Sequence, residues 1–328
     1  MNQNQFERTY QDQWTQFSQL LDVLESKSGN IAETDMGLEE FPAQYRKLCN
    51  HYGLVQARHY SPALVDRLHD LVLRGHRQLY KKKTNLTWAA INFIARDFPQ
   101  TLRRNYVAFW LAFCLFYGPA AAVGIATYHN PVLIYSLMDE NKVIGMESMY
   151  DPNNQKIGRS AERDAETDIT MFGYYILNNI SIGFRTFAGG IIFGVGAFFF
   201  LVFNGLMIGG VAGHLSHPPY VETFWQFVSG HGAFELTAIV ICGAAGLLLG
   251  HSLICPGQYR RTDSLRLKAP TTLLLVIGAA LMLVCAAFIE AFWSSSSLSP
   301  TVKFSVAACN WILVILYLLF AGRKRNGS

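Results

Sequence analysis

The sequence predicts an all-α membrane protein: a polytopic helical bundle with an N-terminal cytosolic helical head and an interfacial helix. Two observations predict this class. The 328 residues are 51% hydrophobic and only 15% charged, whereas soluble domains carry about 25% charged residues. The charges also concentrate in residues 1–104, and long apolar runs alternate with polar connections from Tyr106 onward. That step in composition is the clearest boundary in the chain.

Residues 1–85 are predicted to form the head, a small helical bundle. Apolar side chains recur at helical spacing within residues 5–26, and residues 37–82 are expected to add two more helices. A helix start is predicted at Pro62, because proline suits the first turn of a helix. A break is predicted near Gly53.

Residues 86–104 are predicted to form an amphipathic interfacial helix. Trp88, Ile94 and Phe98 fall on one face, and Arg96 falls on the other. A helix of this kind directly before a span is suited to lie in the headgroup plane of a bilayer. An ordinary amphipathic helix packed on the head is the alternative.

Residues 105–322 are predicted to be the transmembrane domain, with an outer loop at 129–170 and a basic cytosolic tail at 323–328. Basic clusters flank the first span, follow a later one and end the chain, and such clusters favour the cytosolic side. Both termini are therefore expected to be cytosolic. The apolar runs are residues 106–128, 171–213, 234–254, 271–293 and 304–321.

Cytosolic termini require an even number of crossings, and the apolar runs number five. The glycine-rich run 171–213 must then hold an additional segment, which gives about six membrane segments in total. We place the turn at Asn204-Gly205. Residues 206–215 would form a short or re-entrant segment, since a full span needs about 20 residues.

His231, Gly232 and Glu235 are the sharpest candidates for a functional site. His231 and Glu235 are four residues apart and share a helix face if the helix begins early enough. Three interpretations stay open: a structural pair with Gly232 permitting a break, a proton or ion relay, and a metal site. One histidine and one glutamate are only half of a zinc site, and nothing in the spacing demands His214 or His217 as further ligands. We therefore expect no metal.

Three other polar residues lie within apolar runs. Arg185 is expected near the outer headgroups, where a long side chain can reach the interface. Glu290 falls near the outer end of one run, and Asn310 falls in the first half of the last run. Structural roles are expected for all three.

Small residues recur in two of the apolar runs and predict close helix packing, either within the chain or across a dimer. Gly189 and Gly190 lie in one run, and Gly243, Gly246 and Gly250 lie in another. Small residues let transmembrane helices approach closely. The pattern indicates packing and is silent on activity.

Several function classes lack support in the sequence. There is no phosphate-binding glycine loop and no dinucleotide-binding glycine pattern. There is no nucleophile elbow, and no basic face with groove-reading residues. We expect no catalytic residues, no cofactor and no nucleic-acid partner. A membrane metallohydrolase is the enzyme alternative.

Four segments, in this order, resemble the stage II sporulation protein M family. Residues 228–236, VSGHGAFEL, are similar to its HG-x-x-E core, and the glycine-rich stretch 242–250 follows. Residues 93–99 and 203–206 are similar to segments ahead of that core. The likeness covers roughly residues 88–322.

The resemblance implies a multi-pass protein of the bacterial inner (cytoplasmic) membrane. The family's namesake works with cell-wall hydrolases during engulfment, and relatives are thought to act beside AAA-type ATPases. The expected function is a non-enzymatic scaffold that organises envelope or membrane-remodelling partners. Membrane lipid and a homo-oligomer, such as a dimer, are the further partners expected. The alternative is a permease or channel-like subunit similar to membrane domains of ABC-type exporters.

Overall fold

A computed structural model describes residues 1–25, 39–79, 86–153, 165–296 and 298–323, without the side chains of residues 165–168. These residues form helices and turns and contain no strand, so the predicted all-α class is confirmed. The chain divides into two compact units, Met1–Asn85 and Leu86–Ser328. Each unit is described by itself.

The first unit, the head, contains three helices: α1 (Gln3–Glu25), α2 (Phe41–Ala57) and α3 (Pro62–Leu79). The helix start predicted at Pro62 is confirmed. The break predicted near Gly53 is wrong, because α2 continues past it with His51 and Val55 buried on one face. The core residues are Phe6, Trp14, Phe17, Leu20, Leu21, Phe41, Leu48, Val55, Leu64, Leu68 and Leu71.

One histidine lies inside this core as a structural residue. Trp14 donates a hydrogen bond from Nε1 to Nδ1 of His51 over 3.2 Å. Burial, and then the charge of Lys47, lower the pKa of His51 below its ordinary value. The imidazole is therefore held neutral, and its acceptor nitrogen is used by the indole.

The second unit is a helical membrane domain. Five of its helices, among the residues described, are long and apolar enough to cross a membrane: α6, α9, α10, α11 with its π-helical extension, and α12. The protein is therefore a multi-pass membrane protein. The elements in order are α4 (Leu86–Asn92), a π-helical turn (Phe93–Asp97), α5 (Phe98–Arg104), α6 (Tyr106–His129), a 3-10 helix (Pro131–Ser136), α7 (Glu140–Met149), α8 (Ala165–Ala188), a 3-10 turn (Gly189–Ile191), α9 (Val195–Leu215), α10 (Val221–Ile254), α11 (Arg261–Phe288), a π-helical turn (Ile289–Ser294) and α12 (Pro300–Phe320).

The turn predicted at Asn204-Gly205 is wrong, and so is the short segment predicted after it. Both residues lie in the middle of α9, which is one continuous helix. The chain instead reverses at residues 189–194, where Gly194 has φ +81°, a left-handed conformation that glycine adopts without strain. Gly205 is small for another reason: a Cβ there would overlap the carbonyl oxygen of Phe116 on α6.

Contacts along the helices fix their relative directions. Along α6 and α9, Phe116 lies against Gly205 and Ala120 lies against Gly209, so these two helices are parallel. Helix α10 runs the other way, because its late residue Gly250 meets Gly194 just before α9 begins.

Helix α8 runs parallel to α10, because Gly183 lies beside Cys242 and Gly190 lies beside Gly246, so α8 and α9 form an antiparallel pair. With α8, the described part of the domain contains six long helices. Arg185 lies in the last turn of α8, at the end of the bundle opposite to Glu290, so the expectation that both lie toward the outer side is wrong.

The alternating directions give the bundle two ends. We call the end where α6 begins and where α8, α10 and α12 finish the basic end, and the other the opposite end. The arginines beside these helix ends lie at the basic end: Arg103, Arg104, Arg260, Arg261 and Arg323.

The predicted interfacial helix is built from α4, a π-helical turn and α5, and its two halves differ. Phe98 and Leu102 of α5 are buried in the membrane domain, where Phe98 lies against Gly278 of α11. Arg103 donates hydrogen bonds to backbone oxygens of Leu318 and Ala321 at the end of α12. The apolar side chains of α4, by contrast, are exposed, as an interfacial position would require.

The small residues predicted to pack do so within the chain. A Cβ on Gly246 would lie 2.9 Å from the Cβ of Ala197, and one on Gly189 would lie 2.6 Å from backbone of Gly196. Gly190 abuts the backbone of Gly246, and Gly243 abuts the side chain of Leu201. These contacts join α8, α9 and α10, so the glycine faces are already used inside one protomer.

Candidate functional site

The predicted site lies on α10, but it is not at the start of that helix. Helix α10 begins at Val221 and runs to Ile254 without a break, so the span expected from residue 234 begins earlier. Gly232 is therefore not a helix break, and a Cβ added to it would meet nothing within 4 Å. His231 and Glu235 share a face because the helix is fully formed at both residues.

His231 is almost completely buried, with 5% of its surface exposed. Its Nδ1 forms a hydrogen bond of 3.1 Å with the hydroxyl of Ser294. Its Nε2 lies 3.6 Å from a carboxylate oxygen of Glu235, an ion-pair distance that is longer than a hydrogen bond. The ring of Phe227 meets the imidazole edge-on, with centroids 5.7 Å apart.

A second carboxylate, Glu290, completes the cluster. Glu290 and Ser294 both belong to the π-helical turn that extends α11. One donor atom from each of His231, Glu235 and Glu290 lies within 4.8 Å of the other two. We call these three residues the polar triad. Single π-helical turns are often found at functional sites.

The walls of the polar triad come from two further elements. Asn179 of α8 is 2% exposed and lies beside Glu290, yet its amide nitrogen Nδ2 has no hydrogen-bond partner of acceptable geometry. Tyr150, just after α7, is buried against the rings of Phe224 and Phe227. Burial raises the pKa of Tyr150, and the nearby groups Glu290, Tyr175 and Glu235 raise it further.

Helix α12 holds the backbone around the polar triad. Asn310 donates from Nδ2 to the backbone oxygen of Gly230 over 2.8 Å. The buried amine of Lys303 donates to the backbone oxygen of Ser294 over 2.8 Å. Asn310 thus has the structural contact expected for it, whereas Glu290 belongs to the site.

The other histidines considered as ligands lie elsewhere. Nε2 of His214 is 2.8 Å from a carboxylate oxygen of Glu147, and His217 bonds to the backbone oxygen of Tyr128. The structure therefore does not bring either of them to His231. Asn204 is also outside the polar triad, and its amide bonds to the backbone of Phe200 one turn earlier in α9.

Sequence reasoning identified two of the three residues of the polar triad and missed the residues that surround it. Glu290 carried a signal, since an acidic residue in an apolar run is costly and commonly functional. Ser294, Asn179 and Tyr150 carried no such signal, because polar uncharged side chains are ordinary in helices and loops. They come together only when α8, α11 with its π-helical extension, and the segment after α7 pack against α10.

The described cavities do not open onto the polar triad. The most apolar one, of about 490 Å³, lies among α5, α6, α10 and α12 and is lined by side chains such as Leu102, Phe109 and Trp311. A cavity of about 500 Å³ near the start of α10 is lined by Trp225 and Ser229 but not by the carboxylates of the polar triad. Among these cavities, none provides an ion path to Glu235 or Glu290.

Comparisons with known proteins place the chain among membrane proteins of a known family. A region of 28% identity over 124 residues matches an uncharacterized protein of Methanocaldococcus jannaschii, covering 37% of this chain and 69% of that relative. Residues 4–81 match a domain of unknown function, DUF8413. No solved structure matches the chain. The model of the stage II sporulation protein M family matches residues 108–295, which is more than half of the chain and includes the polar triad, and the chain therefore belongs to the stage II sporulation protein M family.

Proposed function

We propose that this protein is a non-enzymatic membrane scaffold that holds envelope or membrane-remodelling partners at the bilayer. The observation that carries the proposal is the separation of the chain into two units with cores of their own, one of them a membrane domain. Within the membrane domain, α8, α9 and α10 meet backbone to backbone through glycines. Such packing favours a rigid platform.

The head provides a surface for a partner. Helix α3 buries Leu64, Leu68 and Leu71 in the head core. Its remaining faces expose charged side chains, including Asp66 and Asp70 one helical turn apart. A charged face of this kind suits a polar protein partner, such as an AAA-type ATPase or an envelope protein complex.

Copurification tests the scaffold. The full chain would be isolated from native membranes by an affinity tag, and the partners would be identified by mass spectrometry. We expect a stable partner with the wild type and its loss with Asp66→Lys/Asp70→Lys. The matched control is Asp12→Lys on α1, an exposed acidic residue of the same unit. Absence of any stable partner of the wild type would contradict the proposal.

We also propose that the protein lies in the bacterial inner membrane with both termini in the cytosol. The support is the cluster of arginines at the basic end, since such residues favour the cytosolic side. Single cysteines would replace Tyr259 and Glu140, which are both exposed, and the labelling would be carried out on intact cells. A membrane-impermeant thiol reagent should label the Glu140 position and spare the Tyr259 position. The reverse pattern would invert the proposed orientation.

A permease or channel-like subunit is the second candidate. The observation that favours it is the group of one buried histidine and two partly buried glutamates inside a membrane domain, where ionisable residues commonly mark ion or proton pathways. Flux of protons or cations into liposomes containing the purified protein would support it. The flux should then disappear in Glu290→Gln and persist in Glu222→Gln, which alters an exposed glutamate on α10.

A further inference from the structure

The polar triad has an unbalanced charge. Glu235 and Glu290 are two partly buried carboxylates between packed helices of the bundle, and 19% of the Glu235 side chain is exposed. No lysine or arginine nitrogen lies within 4.0 Å of either carboxylate among the residues described. Buried carboxylates are stable only when they are paired, protonated or bound to a metal. A cation or a proton is therefore needed between them.

The imidazole of His231 is oriented toward this gap. The hydroxyl of Ser294 is hydrogen-bonded to Nδ1. Nε2 lies 3.6 Å from a carboxylate oxygen of Glu235 and forms no hydrogen bond with it. Histidine ligands of metals commonly have their second nitrogen held by such a partner, which fixes the ring orientation. Ser294 is itself fixed, because the π-helical turn and the amine of Lys303 hold its backbone.

The spacing of the three groups suits a metal ion. Donors about 2.0–2.2 Å from one tetrahedral ion lie roughly 3.3–3.6 Å apart. The 3.6 Å separation of His231 and Glu235 is at the upper limit of that range, and the set as a whole lies within 4.8 Å. Binding would require only a small contraction around Glu290.

An independent observation on α8 points to a ligand at the same place. Asn179 is buried beside Glu290, and its Nδ2 approaches that carboxylate without completing a hydrogen bond of normal geometry. Buried amide groups of native proteins nearly always form hydrogen bonds, to protein or to water. We expect a water molecule on the ion to accept the N–H of Nδ2, because metal sites with three protein ligands keep a fourth position for water.

We propose that the polar triad binds one divalent transition-metal ion through Nε2 of His231 and the carboxylates of Glu235 and Glu290. One nitrogen and two carboxylate ligands suit Zn²⁺ and neighbouring ions. The ion neutralises both carboxylates and ties α10 to the π-helical end of α11. The inference goes beyond the scaffold function. A partner could copurify with the protein whether or not a metal is bound, so the copurification experiment does not test the metal site.

Zinc titration of the full chain tests the proposal. The protein would be purified in detergent, stripped with a chelator and titrated with Zn²⁺ against a fluorescent indicator. We expect one ion per chain. Replacing a ligand, in His231→Gln, Glu235→Gln or Glu290→Gln, should weaken binding at least about 100-fold, whereas Ser294→Ala should weaken it about 10-fold, as loss of an outer-shell partner does.

Two exposed residues of the same helix provide matched controls. Glu222→Gln and His251→Gln remove a carboxylate and an imidazole from α10 outside the polar triad, and both should bind zinc as the wild type does. Melting in the absence of metal checks folding, and Glu290→Gln should fold because it removes a buried charge. Zinc should raise the melting temperature of the wild type and leave that of Glu290→Gln unchanged.

Three outcomes would overturn the proposal. The first is uptake of less than one ion per chain by the wild type, which decides the question even if a ligand variant fails to fold. The second is equal weakening in the control variants, which would indicate adventitious surface binding. The third is an infrared band of a protonated carboxyl group in the wild type that persists with zinc present and disappears in Glu290→Gln, which would show that the carboxylates share a proton.

Discussion

The two halves of α10 use the same helix for different purposes. In the half near the basic end, Gly246 meets backbone of α8, Gly250 meets backbone of Gly194 just before α9, and Gly243 meets a side chain of α9. In the half near the opposite end, His231 and Glu235 present long polar side chains to α11. Glycines let the helices approach so closely that no room is left between them for a functional side chain. Larger polar residues keep the neighbouring helices far enough apart to form a site. We therefore expect the half of α10 near the basic end to make the domain rigid, and the half near the opposite end to carry the candidate site.

The largest effect is expected from filling the glycine contacts. Gly250→Ala would place a Cβ against the backbone of Gly194, and Gly190→Ala would place one against the backbone of Gly246. Neither backbone can rotate away as a side chain can, so each change should cost about 3 kcal/mol of stability. Denaturant titration of the purified protein measures the loss. Variants as stable as the wild type would contradict the backbone contact.

A smaller effect is expected where α12 contacts the half of α10 that carries the polar triad. Asn310→Ala removes the hydrogen bond from Nδ2 to the backbone oxygen of Gly230. Hydrogen bonds between membrane helices contribute about 1 kcal/mol, so a loss of this size is expected in the same titration. Ser305→Ala is the control, because its hydroxyl bonds only to Thr301 within α12. A loss equal to that of the control would show that the Asn310 contact contributes nothing.

The smallest effect is expected at a glycine in the half of α10 that carries the polar triad. A Cβ on Gly232 meets nothing within 4 Å, and the residue lies inside a regular helix. Gly232→Ala should therefore leave the stability unchanged or raise it by up to about 1 kcal/mol, since alanine favours helices over glycine. Thermal melting detects the change. A destabilisation like that of Gly250→Ala would mean that both halves of α10 are packed alike.

The error at Asn204-Gly205 has a physical reason. An Asn-Gly pair is a strong turn signal in isolation, but here Asn204 bonds to backbone within α9 and Gly205 accommodates α6. The true reversal at residues 189–194 has glycines that sequence reasoning assigned to packing alone. Glycine marks both tight turns and close helix contacts, so composition alone could not separate the two uses.

The candidate site was predictable in part. His231 and Glu235 follow from their spacing on one helix, and Glu290 is recognisable as a costly residue in an apolar run. That Glu290 reaches His231 depends on a π-helical turn after α11, which no residue pattern indicated. Asn179 and Tyr150 come from distant parts of the chain, and their convergence depends on the packing of α8 and α7.

The sequence by itself determined the all-α class, the polar first region, the long apolar helices and the presence of costly polar residues among them. These features depend on composition and periodicity, which are local properties of the chain. Only the tertiary structure decided where the chain reverses, which glycines meet which backbone and which polar groups share one site. Those outcomes depend on contacts between residues far apart in the sequence, and the free energy of such contacts is fixed only when the helices pack.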